Sequence, residues 1–173
     1  MEYLGDFIKI LLPAGVVLYA MVLVVRSFLN NDFEKKLVDI KVKSTATVLP
    51  IRLQAYERIC LLLERISPGN IIVRVNVSEM TAMQLQQQLN AEIRHEFNHN
   101  LSQQMYMSDK AWTSVKNAVE ETISLVNASA SETAPDARGI ELARKIIEKN
   151  ISRAENPIDT ALTFIKNEIR EIF

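Results

Sequence analysis

The sequence predicts an all-α fold: one N-terminal transmembrane helix followed by a soluble bundle of about five helices. Few turn residues, four Gly and five Pro among 173, disfavour turn-dense all-β architectures. Sixteen consecutive residues, Ile10 to Val25, carry no charge. Most of the remaining chain spaces its apolar residues three and four apart, the period of a helix with one buried face. With 48% hydrophobic and 24% charged residues, the chain can bury a core and is not a disordered tail. A net charge of -1, from 20 basic and 21 acidic residues, gives no electrostatic case for nucleic acid, and none is expected as a partner. The single cysteine, Cys60, excludes an intrachain disulfide and any multi-Cys metal site.

Widening the uncharged stretch to Phe7 through Leu29 admits only Lys9 and Arg26. At about 1.5 Å per residue, roughly twenty residues cross a hydrocarbon core of about 30 Å. Pro13 and Gly15 inside the stretch are better tolerated in a membrane helix than in a soluble one. Glu2 and Asp6 precede Lys9 and no small-x-small cleavage site follows Val25, which favours an uncleaved anchor over a signal peptide. The expected organisation is an anchor over 1–29, a charged juxtamembrane helix or stalk over 30–49, and a helical domain over 50–173.

From Arg26 to Arg52 there are six basic residues against three acidic, whereas Lys9 is the only basic residue before the span. The positive side is expected in the cytoplasm, with the amino terminus outside. A reduced Cys60 suits that compartment. Lys35, Lys36, Lys41 and Lys43 are candidate contacts to anionic lipid, which would make the chain a lipid-binding tether; a solvated stalk is the favoured reading of the segment.

After Pro50, Leu53, Tyr56, Cys60 and Leu63 follow helical steps, and Ile59 to Leu63 is apolar on every face, as in a central buried helix. It should stop at Ser67-Pro68-Gly69. Ile71, Val73, Val75 and Val77 alternate, so 70–77 is expected to be an extended connector on the helices or, failing that, an edge strand. Ser78 is the expected cap of a long helix to about Tyr106, with Leu85, Leu89, Ile93, Phe97, Leu101 and Met105 four apart. Ser108 caps a helix carrying Trp112, Val115, Val119, Thr122 and Val126, and 127–136 reads as a surface loop. A short helix then carries Ile140, Ala143, Ile147 and Ile151. Asn156-Pro157 starts a last helix with Ile158, Ala161, Leu162, Ile165, Ile169 and Ile172.

His95-Glu96-Phe97-Asn98-His99 matches H-E-x-x-H, in which two imidazoles one turn apart bind zinc and the glutamate serves as general base. A zinc hydrolase with His95 and His99 as ligands and Glu96 as base is therefore the alternative function. Against it, no third ligand is signalled. With Ile93 at 0° and about 100° per residue, Phe97 falls at about 40°, but His95 and His99 fall at about 200° and 240°, away from the apolar stripe. Trp112 and the methionines at 80, 83, 105 and 107 read as core or helix-contact residues, and Cys60 as an inert buried thiol.

Two segments, Leu49 to Arg58 and Glu96 to Tyr106, together with Phe164 to Glu168, resemble an uncharacterised family of small, single-span bacterial membrane proteins with no assigned activity. In that family the positions of Glu96 and His99 are typically glutamate and histidine, while that of His95 varies. The resemblance thus implies no catalytic ligand pair. It implies instead a shared structural or interaction role for His99, Asn100, Gln103 and Gln104. The expected function is that of a membrane-anchored accessory or scaffold protein, without cofactor or enzymatic activity. Its partners would be the lipid bilayer and other membrane or membrane-associated proteins, and self-association stays open.

Overall fold

The computed structural model describes the backbone of residues 2–75 and 79–171; the side chains of 2–14, 29–34, 37–41 and 44 lie outside the described set. Within it the chain is helical. In order come α1 (Glu2–Ile66), α2 (Pro68–Arg74), α3 (Ala82–His99), a 3-10 helix (Leu101–Tyr106), α4 (Asp109–Ala130), α5 (Gly139–Ile151) and α6 (Pro157–Arg170). Contacts divide the residues into two units, Met1–Leu49 and Pro50–Phe173.

In the first unit Val16, Val17, Leu18, Tyr19, Met21 and Val24 are each more than 60% exposed among the described residues. Among the described residues no helix is long and apolar enough to cross a membrane. The expected span Ile10–Val25 begins in residues 10–14, whose side chains lie outside that set. Lys35, Lys36 and Lys43 are exposed; the Lys41 side chain lies outside the described set. Pro50 does not end α1, although it has no N–H to donate one turn back.

In the second unit the last turns of α1 bury Tyr56, Ile59, Leu62, Leu63 and Ile66. The helix is not enclosed on all sides as its composition suggested: Leu61 is 54% exposed and Cys60 half-buried. Burial pushes the Cys60 thiol up from its ordinary pKa, so it is a poor nucleophile.

Residues 70–74, expected in extended form, belong to α2. Pro68 occupies its first turn, where a missing N–H costs nothing. Ile71 and Val75, one turn apart, are buried, whereas Val73 is 86% exposed, so the buried period is four and not two. Val77 and the expected cap Ser78 lie outside the described residues. Ile71→Ala is accordingly expected to cost about 2–5 kcal/mol and Val73→Lys less than about 0.5 kcal/mol in urea unfolding, whereas a strand would penalise both.

The next helix starts at Thr81, which forms a reciprocal capping box with Gln84. Two further N–H groups of its first turn are taken by the 131–138 segment: Ala82 N donates to Ala137 O at 2.8 Å and Met83 N to Pro135 O at 3.1 Å. That loop is shorter than expected, because α4 continues to Ala130. Nor does α3 reach Tyr106. It ends at His99, and the chain tightens into the 3-10 helix, leaving Leu101 38% and Met105 80% exposed. The four-residue stripe is therefore core only at Leu85, Leu89 and Ile93, with Phe97 stacked on Trp112 at 5.4 Å between ring centroids.

Helix α4 is the central element, packing against α3, α5 and α6. Ser108 caps it by accepting from Ala111 N, and Trp112, Val115, Val119, Thr122 and Val126 are all buried. Its buried hydroxyls are satisfied within the helix, Thr122 Oγ1 donating to Ala118 O at 2.7 Å. In α5 the buried residues are Gly139, Leu142, Ala143 and Ile146; Ile140 and Ile151, expected in the stripe, are 51% and 77% exposed. Helix α6 begins at the Asn156 cap with Pro157 in its first turn, and buries Ile158, Ala161, Leu162 and Ile165. Met80 and Met107 pack on the core, while Met83 and Met105 face solvent.

Candidate functional site

From Arg52 to Arg65, α1 runs in the direction opposite to α3 and the 3-10 helix. Arg65 pairs with Glu96, and thirteen residues earlier Arg52 Nε donates to Tyr106 O at 3.1 Å, beyond the end of α3. Between them opens a groove of about 390 Å³, lined by Arg58, Leu61, Leu62 and Arg65 from one helix and by His95, Glu96, His99 and Asn100 from the other. The residues come from i, i+3, i+4, i+7 on α1 and from two successive turns of α3, so helical geometry alone puts each set on one face.

Glu96 is held by arginines. Arg65 donates to Glu96 Oε1 from Nε at 2.8 Å and from Nη2 at 2.5 Å, and Arg74 of α2 donates to the same oxygen from Nη1 at 3.4 Å. Burial would raise the Glu96 carboxyl, but the hydrogen bonds and charge of Arg65, with those of Arg74, hold it below the usual carboxylate range. A zinc enzyme's glutamate takes a proton from metal-bound water; two guanidinium groups on Oε1 and the lowered pKa make Glu96 a weaker base for that step, while Oε2 carries no hydrogen bond among the described residues. Both histidines are exposed, and among the described residues no three His, Cys, Asp or Glu side chains gather as metal ligands. Of the residues expected at an interaction surface, His99 and Gln104 are exposed. Asn100 is buried, its side-chain amide donating to Glu96 O at 2.9 Å, and Gln103 is buried in the 3-10 helix.

A second polar cluster was not apparent from the sequence. Glu168 of α6 accepts from the Tyr56 hydroxyl, from Ser108 N at 3.1 Å and from the Ser108 hydroxyl. Ser108 in turn caps α4, so one carboxylate ties α1, α4 and α6 together. Burial opposes ionisation of Glu168, but the Ser108 and Tyr56 hydrogen bonds and the nearby Arg52 charge outweigh it and lower its pKa. Burial, then the hydrogen bond to Glu168, pushes Tyr56 from 10.0 up to about 12. A signal did exist: Tyr56 lies on an apolar stripe where its hydroxyl needs a partner, and Glu168 follows Ile165 by three on a buried face. In a spectrophotometric titration Tyr56 is expected to ionise only near pH 12, and in Glu168→Ala at a lower pH, still above 10.0 because its burial remains.

The three segments that carried the family resemblance meet at these two places: Arg52, Tyr56 and Arg58 from the first, Glu96 to Tyr106 from the second, Glu168 from the third. A family model spans residues 2–172, essentially the whole chain. The chain belongs to DUF7935, a family of unknown function. No curated protein and no solved structure matches it. In this DUF7935 chain the groove and the Glu168 cluster are thus two places where chemistry-bearing side chains from distant segments converge.

Proposed function

We propose that this DUF7935 protein is a single-pass protein of the bacterial inner membrane, with its amino terminus outside and residues 50–173 in the cytoplasm. It acts there as an accessory or scaffold through contacts with other membrane-associated proteins. The observation that supports this most is the uncharged stretch Ile10–Val25, of which the described part, Val16 to Val25, is a helix whose large apolar side chains are exposed all round. Water disfavours so much contiguous apolar surface, and a bilayer accepts a helix because its backbone groups are satisfied internally. The six-to-three excess of basic residues from Arg26 to Arg52 supports the orientation.

A role through contacts is favoured over hydrolysis because Glu96, the base that H-E-x-x-H chemistry requires, is engaged by Arg65 and Arg74. His99 and Gln104 are among the exposed polar residues at that end of α3 and in the 3-10 helix. In intact cells carrying Cys60→Ser, a membrane-impermeant thiol reagent is expected to label Glu2→Cys and to spare Ser131→Cys. Labelling of Ser131→Cys alone would reverse the orientation, and recovery of the chain in the soluble fraction would remove the anchor.

A further inference from the structure

The groove between α1 and α3 has a charge pattern that neither an ion-pair network nor a scaffold requires. Of its two guanidinium groups, Arg65 is neutralised by Glu96, while Arg58 makes no ion pair among the described residues. Facing it on α3 are two exposed imidazoles, His95 and His99, whose ring N–H groups are donors. Glu96 is itself drawn back onto Arg65 and Arg74, so the carboxylate that would repel an anion is already neutralised. Between the polar walls lies Leu61, 54% exposed although it is a leucine in the middle of a core-forming helix. An apolar strip beside a cluster of N–H donors with one uncompensated positive charge fits a ligand with an oxyanion at one end and an apolar body at the other.

We propose that this groove binds a phosphoryl group, through Arg58 with His95 and His99, and that Leu61 receives the apolar part of the molecule that carries it. A tetrahedral phosphoryl group offers acceptors in several directions, which suits donors arriving from two helices; a planar carboxylate presents its acceptors in one plane. The Arg65–Glu96–Arg74 set acts as positioning structure, holding the α3 wall of the groove to α1 and α2. This site does not depend on the membrane reading, because all its residues lie within Pro50–Phe173.

The full chain in zwitterionic detergent is titrated with pyrophosphate and, separately, with dihexanoylphosphatidic acid, and the imidazole signals of His95 and His99 are followed by NMR. Saturable shifts with either probe, weakened about tenfold or more in Arg58→Gln and in His99→Gln but not in Lys116→Gln, a charge outside the groove lining, are the expected result. If pyrophosphate binds as tightly as the lipid, the source is a soluble phosphorylated molecule. If the lipid binds more tightly and Leu61→Ala removes only that gain, the source is a phospholipid headgroup. Arg58 and His99 are both exposed, so their variants are expected to fold, which unchanged circular dichroism will confirm. No saturable shift with either probe, or equal weakening in Lys116→Gln, overturns the site.

Discussion

Leu63→Ala is expected to destabilise the Pro50–Phe173 unit by about 2–5 kcal/mol, because a fully buried branched side chain would be replaced by a cavity lined with rigid neighbours. Leu63 is 0% exposed and belongs to the same buried cluster as Leu85, Val115 and Ile165, which α3, α4 and α6 contribute. The neighbouring Leu61→Ala serves as control: at 54% exposure it loses little burial, and its cost should be less than about 1 kcal/mol. Urea unfolding of both variants measures the contrast. Equal losses would mean that α1 does not present the 59–62–63–66 face to the other helices.

Glu168→Ala is the second large effect, about 1–3 kcal/mol, because it leaves the Tyr56 hydroxyl and the Ser108 N–H and hydroxyl without their acceptor. Three helices lose a common tie. The pH dependence follows from the lowered pKa of Glu168. Its carboxylate is stabilised in the folded state, so the contribution is present above the ordinary carboxylate range and is lost as pH falls through that range to the folded value. Wild type should lose stability on acidification more steeply than Glu168→Ala does. Glu96, lowered by Arg65 and Arg74, adds a loss of the same sign. Thermal melts across that acid range will show whether the two profiles converge; parallel profiles would mean that Glu168 is not ionised in the cluster.

Most of the helical framework was legible in the sequence, because a helix reports its buried face through spacing that local backbone geometry enforces. The Trp112–Val126 stripe, the Ser108 cap, the Asn156-Pro157 start and the Ser67-Pro68-Gly69 break were all readable from short windows. Residues 70–75 misled for a definable reason. Four of the eight residues from Asn70 to Val77 are β-branched at alternate positions, and over so short a run periods of two and four share the positions 71 and 75. Among the described residues Val73, exposed in the fold, separates the two periods. The overextended α3 has a similar cause. Leu101 and Met105 continue a four-residue spacing, but a helix that bonded onward past Asn100 would have to give up the Asn100 N–H contacts to Phe97 O and Asn98 O.

The sequence by itself determined that this chain is helical, where α4 and α6 begin and where the helix after Pro50 stops, and that H-E-x-x-H points away from the apolar stripe of its own helix. Tertiary structure alone decided what surrounds that motif. Arg65 and Glu96 are 31 residues apart, Arg74 and Glu96 are 22, and Tyr56 and Glu168 are 112. Pairings over such distances depend on the register in which helices pack, a property of whole buried faces that no local window contains. The same register opened the groove at Arg58, His95 and His99, and it turned the glutamate of a would-be catalytic motif into the anchor of an arginine pair.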